Sequence, residues 1–305
     1  MSETTAGLRR KISTAGDLRS VVRTMKALAA SNVGQYEKSV QALADYFRAV
    51  ELGLGACIRD DGLAASNNEG ETTRHPVPVT AIVFGSDQGL VGQFNDIVAD
   101  HAIQILAGLR CQARVWAVGE RVHARLADAG LPLLGLFTVP NSVHAITSLV
   151  GQIQIESEAY RAKNGSGGLW VFHNRPLPGA LYEPAGQRLL PLDAQWRLGL
   201  AKVPWPNGHL TEVLGDRVTT LGALVREYLF ISLFRACAES LASENASRLA
   251  AMQRADKNID DLLEQLQATS HQLRQSSIDE ELFDVISGFE ALSGSPSQVG
   301  PGGTK

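Results

Sequence analysis

Apolar residues near the start of the chain fall on one helical stripe. Val33, Tyr36, Val40, Leu43, Phe47, Val50 and Leu54 follow alternating steps of three and four, and Ala15, Leu18, Val22, Met25 and Ala29 continue the seam upstream. The same rhythm returns at the far end, where Met252, Ile259, Leu266 and Leu273 recur every seven residues and Ile278, Leu282, Val285, Phe289 and Leu292 step by four and three. All 12 prolines lie between 76 and 206 or at 296 and 301, so neither stripe contains a helix breaker. The spacing predicts two long helices, about 8–54 and 211–292, each with an apolar seam that needs a partner.

Between them the period changes. PVTAIVFG (78–85), ARVWAVG (113–119), LLGLFTV (133–139) and GLWVFHN (168–174) are short apolar runs ending in turn signals, the first three followed by helical stretches. Strand and helix in alternation predict an α/β domain with a mostly parallel sheet. QRLLPL (187–192) reads as an added edge strand, because Pro191 cannot donate to a ladder. The expected fold class is α/β: a long antiparallel coiled coil of N- and C-terminal helices plus a small central α/β domain. The expected divisions are a stalk helix over 1–58, a polar linker over 59–76, the α/β domain over 77–206, a second stalk helix over 207–293 and a disordered tail over 294–305.

The two helices are unequal. At 1.5 Å per residue the first is roughly 70 Å long and the second roughly 120 Å. If both leave the central domain, antiparallel pairing sets residue 54 near 215 and residue 8 near 261. Everything beyond about 262 then overhangs, including Leu262, Leu263, Leu266, Leu273, Ile278, Leu282, Phe283, Val285, Ile286 and Phe289. That is too much apolar surface for a lone chain, so another chain should enclose it and the isolated protein should aggregate.

Charge fits the pairing. Residues 1–55 hold eight Lys or Arg against five Asp or Glu, and residues 211–292 hold seven against 14, so the two helices attract. The cluster Arg9, Arg10, Lys11, Arg19, Arg23 and Lys26, opposed only by Asp17, is either a solvated face or a surface for an acidic partner. Over its 305 residues the chain carries a net charge of −4, which gives it no general attraction for nucleic acid. Cys57, Cys111 and Cys237 form no CxxC pair, which argues against a disulfide framework or a structural zinc site and for a reducing compartment. No stretch is apolar enough to span a bilayer, so direct membrane insertion is not expected.

Catalytic motifs are missing. The seven histidines show no HxxxH or HExxH spacing, and there is no GxSxG elbow, so no metal, cofactor or covalent chemistry is expected. FGSDQGLVGQFN (84–95) follows a strand and opens a helix, where amides can hold a phosphate. It lacks the GK[ST] of a P-loop, and Gly85, Gly89 and Gly92 do not fit GxGxxG. The plainer reading is a tight turn needing positive φ at Gly89 or Gly92, and the chain is expected to bind no ATP.

The loop also carries a resemblance. SDQGLVGQFN is similar to the SDxGLCGxxN signature of the F-type ATP synthase gamma subunit, matching at Ser86, Asp87, Gly89, Leu90, Gly92 and Asn95, with Val91 in place of the usual Cys. RACAESLASENASRLAAMQRADKNIDDLL (235–263) resembles that family's long-helix motif at Glu239, Ser243, Glu244, Arg248, Met252 and Asn258. RQSSIDEELFDVISGFEAL (274–292) resembles its terminal stretch, and LRRKISTAGDLRSVVRTMKALAAS (8–31) its first helix.

The resemblance implies a central-stalk rotor with no active site, its tip turning inside a ring of alpha and beta subunits. It implies that the α/β domain docks on the epsilon subunit and the membrane ring of c subunits, at the cytoplasmic face of a bacterial inner membrane. By position, Met25 and Lys26 would face an acidic lever of the beta subunits, Arg274 and Gln275 would bond a beta-subunit loop, and Ile278, Leu282, Val285 and Ile286 would lie in the apolar sleeve. Asn32, Gly34 and Asp279 depart from the usual residues, and with Val91 they suggest a divergent lineage such as the alternative N-type ATPases. Two other readings fit the residues: a non-rotary coiled-coil adaptor, and an α/β nucleotide-binding enzyme using the 85–92 loop.

Overall fold

The computed structural model describes residues 5–60, 79–109, 112–165, 167–177, 180–192, 194–203, 205–206 and 213–293. The expected linker lies outside them from residue 61 on, as do the tail over 294–305 and Cys111. The chain forms two compact units, one of Lys26–Ala251 and one joining the chain up to Met25 with the chain from Met252.

The larger unit contains the sheet. Its strands are β1 (Val79–Phe84), β2 (Ala113–Val118), β3 (Leu133–Phe137), β4 (Leu169–Leu177) and β5 (Ala180–Leu190), in spatial order β3-β2-β1-β4-β5. β1 pairs parallel with both β2 and β4, β2 pairs parallel with β3, and β5 returns antiparallel along β4 as an edge. Each of the four expected strands is present, and Pro191 follows the edge strand directly. β1 is buried throughout because it is covered on both faces. Ala81 and Val83 point into one core with Val98, Ala102, Val122 and Leu126, from α3 (Phe94–Gly108) and α4 (Glu120–Asp128). Ile82 and Phe84 point the other way, into a core with Ile146, Val150 and Ile153 of α5 (Val143–Asn164) and with Leu233, Cys237 and Leu241 of α7 (Arg217–Ser293).

The N-terminal helix is not continuous. It forms α1 (Thr5–Ala42) and α2 (Ala44–Asp60), with Leu43 between them. There the Leu43 N–H donates to the Val40 carbonyl at 3.3 Å, a tighter three-residue step, and the Phe47 N–H resumes the four-residue ladder to Leu43 at 2.8 Å. Val40 and Leu43 both pack on the sheet core, so the apolar stripe crosses the break uninterrupted and the spacing could not reveal it. α7 begins at Arg217 rather than near 211, because Gly215 turns the chain at φ 85° and Asp216 caps the helix. Asp216 Oδ2 accepts the Thr219 N–H at 3.0 Å and also the Thr219 hydroxyl. One helix was not expected, α6 (Ala194–Lys202), which with Val50, Leu54, Ile58, Tyr228 and Ile231 makes a third core around Leu200.

In the smaller unit α1 and α7 run antiparallel, with Arg19 bonding Asp260 at 2.7 Å and Arg23 lying 3.5 Å from Asp256. The expected register set residue 19 against 250, so the pairing is displaced by ten residues toward the end of α7. Part of the reason is visible in the larger unit, where α2 runs on to Asp60 and Arg217 bonds the Cys57 carbonyl at 3.1 Å. The overhang is correspondingly shorter. Leu8 is fully buried and Leu263, Leu266 and Leu273 are half-buried, whereas every residue over 274–290 is exposed. The uncovered stretch therefore begins near Arg274 rather than 262.

Candidate functional site, a clamp on the long helix and an uncovered tip

The glycine-rich loop after β1 is held by its own polar residues. The Ser86 N–H donates to Asn95 Oδ1 at 2.9 Å, Asn95 Nδ2 returns a bond to the Ser86 hydroxyl at 2.8 Å, and that hydroxyl donates to the Gln88 carbonyl at 2.9 Å. Asp87 spans two further elements. Its Oδ1 accepts the Glu120 N–H at the start of α4, and its Oδ2 accepts the Val139 N–H after β3, both at 3.0 Å. A carboxylate there also faces the positive end of α4. Gly92 has φ 59°, one of the two positions expected, and Leu90 is also left-handed at φ 64°. Gly85 has a different role: a Cβ there would meet the Val122 Cβ at 2.4 Å, so its lack of a side chain lets α4 close on the sheet.

This loop is tied to α7. The Ser247 hydroxyl donates to the Val91 carbonyl at 2.5 Å. Asn174, at 0% exposure, donates to the Phe94 carbonyl at 2.9 Å and accepts at its own carbonyl from the Ser243 hydroxyl at 3.1 Å. Next to it the His173 ring Nε2 lies 2.8 Å from Glu239 Oε2, while Arg235 bonds Glu239 Oε1 at 2.7 Å. Burial alone would raise the Glu239 pKa, but the His173 and Arg235 contacts outweigh it and hold the carboxyl below its ordinary value. One turn on, Glu244 Oε1 accepts from Arg248 at 2.7 Å, and here burial wins: the Glu244 pKa is raised, with Asp87 adding to the effect and Arg248 opposing it. The signature loop and the long-helix motif are thus two halves of one joint.

Sequence reasoning missed the strand's share of that joint. His173 and Asn174 are polar residues ending the apolar run GLWVFHN, and both are buried. A polar pair on a strand buried on both faces was the available signal, since such groups need partners.

The structure gathers Ser86, Asp87, Gly92 and Asn95 at the clamp and leaves Gly89 beside them, where a Cβ would lie 3.8 Å from Arg121 Nη2. Met25 and Lys26 are half-buried on α1, and Lys26 has an interaction partner. Arg274 and Gln275 are exposed on α7, and so are Ile278 at 53%, Leu282 at 57%, Val285 at 70% and Ile286 at 45%. Of the departures, Asn32 donates to Asn245 Oδ1 at 3.3 Å, Gly34 has open space about it and Asp279 is exposed. Two features of the loop oppose a phosphate: the Ser86 amide is already bonded, and Asp87 places a negative charge there. Among the described residues no three His, Cys, Asp or Glu side chains are grouped to hold a metal, and no helix is long and apolar enough to cross a membrane.

The family model described as ATP synthase matches residues 4–292. The chain belongs to the ATP synthase family. Among relatives from that family, the ATP synthase gamma chain of Dechloromonas aromatica (strain RCB) is 23% identical over 289 residues, covering 93% of this chain and 98% of its own. Among solved structures, a chain of the Euglena gracilis mitochondrial ATP synthase (OSCP/F1/c-ring, rotational state 3) matches with TM-score 0.63 and 13% identity, covering 98% of this chain and 99% of that one. A chain of the central stalk and c-ring of the Tetrahymena thermophila mitochondrial ATP synthase matches with TM-score 0.54 and 18% identity, over 77% of this chain and 99% of that one. Within the ATP synthase family the chain is of the gamma type.

Proposed function

We propose that this ATP synthase family member is the rotor of the complex, coupling catalytic beta subunits to ion movement through a membrane ring. The observation that carries the reading is α7 itself. One unbroken helix is clamped to the α/β domain through Glu239, Ser243 and Ser247 and ends in a tip whose apolar residues are uncovered. The clamp fixes the domain to the helix. The tip offers Ile278, Leu282, Val285, Ile286 and Phe289 to an apolar sleeve formed by alpha and beta subunits, and Arg274 and Gln275 to polar partners just before it. An asymmetric helix turning in that sleeve favours one beta conformation at each orientation, a population shift driven by contact. Met25 and Lys26 engage an acidic lever of the beta subunits, and the α/β domain meets the epsilon subunit and the c ring. The chain then sits peripherally, on the cytoplasmic face of a bacterial inner membrane.

The test is deletion of residues 274–293 together with the tail, assayed in reconstituted complexes by ATP-driven ion pumping beside ATP hydrolysis and subunit stoichiometry. Because the paired region ends before Arg274, the truncated chain should fold as the parent does while assembly or pumping yield falls. A truncated rotor that assembles fully and pumps at the parental ion-to-ATP yield would leave a passive, non-rotary adaptor as the better reading.

A further inference from the structure

Beside the clamp is a cavity of about 220 Å³ lined by Asn32, Tyr36, Asp87, Val139, Asn141 and Glu244, with Pro140, Leu241 and Arg248 also on its wall. Glu244 is only 5% exposed, and its Oε2 has no hydrogen-bond partner although Oε1 is held by Arg248. An acceptor kept from water and left unbonded is costly, and a charged one more so. The wall carries two carboxylates, Asp87 and Glu244, and a single cation, Arg248. Asp87 already accepts a backbone N–H at each oxygen, so it adds negative charge without needing a further donor. The wall is one positive charge short, and although Arg248 Nε is also unpartnered it does not bond Glu244 Oε2.

We propose that this cavity receives the side chain of a lysine presented by a partner polypeptide, its ammonium bonding the open oxygen of Glu244 and its methylene stem lying against Val139, Pro140 and Leu241. The alternatives fit less well. A metal ion would find no third carboxylate, His or Cys among the described residues and would face the Arg248 guanidinium. A partner arginine seeks both oxygens of a carboxylate, and one of these is taken. Water fills the volume but brings no charge. A lysine matches both the apolar wall and the single acceptor. The mouth is accessible, since Gln88 and Asn141 are exposed. The proposal does not depend on the rotor reading, because its first test uses the chain alone.

That test titrates the purified full chain with n-butylammonium chloride, a mimic of the lysine tip, and follows backbone amide NMR signals at 32, 36, 139–141 and 244–248. Sodium chloride and tetramethylammonium chloride, which supply no N–H donor, are the controls. Saturable shifts with butylammonium alone are expected. Glu244→Gln should weaken the response at least tenfold, and Asn141→Lys, which tethers an ammonium at the mouth, should abolish it. Equal shifts from either control salt, or an undiminished response in Glu244→Gln, would overturn the proposal. If Glu244→Gln fails to fold, Asn141→Lys decides, because it alters only an exposed residue and a full response there is equally fatal. In the assembled complex the partner's lysine should already occupy the cavity, so butylammonium should produce no shift; binding equal to that of the free chain overturns the assignment to a partner.

Discussion

The Ser247 hydroxyl donates to the carbonyl oxygen of Val91 at 2.5 Å, joining the long helix to the loop that follows the first strand. The bond uses the backbone of Val91, so it survives the replacement of the cysteine that the resemblance leads one to expect there. Val91→Cys should therefore change stability by less than about 1.5 kcal/mol, as conservative buried swaps do. Ser247→Ala leaves a carbonyl without its donor in a buried site and should cost about 1–3 kcal/mol. Urea unfolding of both variants checks the contrast, and equal losses would mean that the side chain of residue 91 carries the contact.

Asp87 ties its loop to two other elements through one carboxylate. Asp87→Ala should lower the unfolding free energy by about 2–4 kcal/mol, since two charge-assisted bonds to backbone N–H groups are lost at a half-buried position. Asp87→Asn keeps one acceptor and should fall between. Guanidinium titrations with a common slope would measure both, and a loss in Asp87→Asn as large as in Asp87→Ala would show that charge rather than bonding matters.

Leu90 stands in the left-handed region at φ 64° while 62% exposed, so it bears backbone strain without the return of burial. Leu90→Gly should stabilise the isolated chain by up to about 1 kcal/mol, after the entropy that glycine adds to the unfolded state. If the leucine is kept for contact with another subunit, the same variant should assemble less well. Thermal melting beside a reconstitution assay reads both, and a destabilised Leu90→Gly chain would refute the strain argument.

Glu239 and Glu244 share one helix but are shifted in opposite directions. Glu239 is held low, so the stability it brings is present above the ordinary glutamate pKa and is lost as pH falls through the depressed value. Glu244 is held high, so its contribution is present below the ordinary value and is lost as pH rises through the elevated one. Melting temperature measured across acid to neutral pH should thus fall away on both sides. Glu239→Gln should flatten the acid limb alone, and Glu244→Gln the limb on the rising side. Identical profiles for the two variants would contradict the assignment.

The parts of the fold that repeat were readable in the sequence, and those set by contacts across it were not. Four strands and three intervening helices announced themselves through short, unbroken apolar runs, which burial on both faces forces most fully at β1. The break at Leu43 did not, since its apolar neighbours keep helical spacing on either side. The Asp216 cap that opens α7 was missed, because the apolar spacing set the start of the helix near 211. The ten-residue displacement of the helix pair was not legible, because a heptad-like stripe fixes the face a helix presents but not its register against another. At the clamp the loop residues were identifiable by resemblance, while His173 and Asn174 gained meaning only once β4 was found to bring them to Glu239 and Ser243.

The joint at Leu43 divides mechanical labour between the two terminal segments. α7 carries an uninterrupted hydrogen-bond ladder from Arg217 to Ser293, whereas the N-terminal segment changes pitch once, beside the sheet core. In the rotor proposed above, torque entering through the α/β domain has one stiff load path, along α7 from Glu239, Ser243 and Ser247. On that reading the change of pitch at Leu43 is where the N-terminal segment would take up torsion, so that one strand of the shaft transmits twist while the other gives.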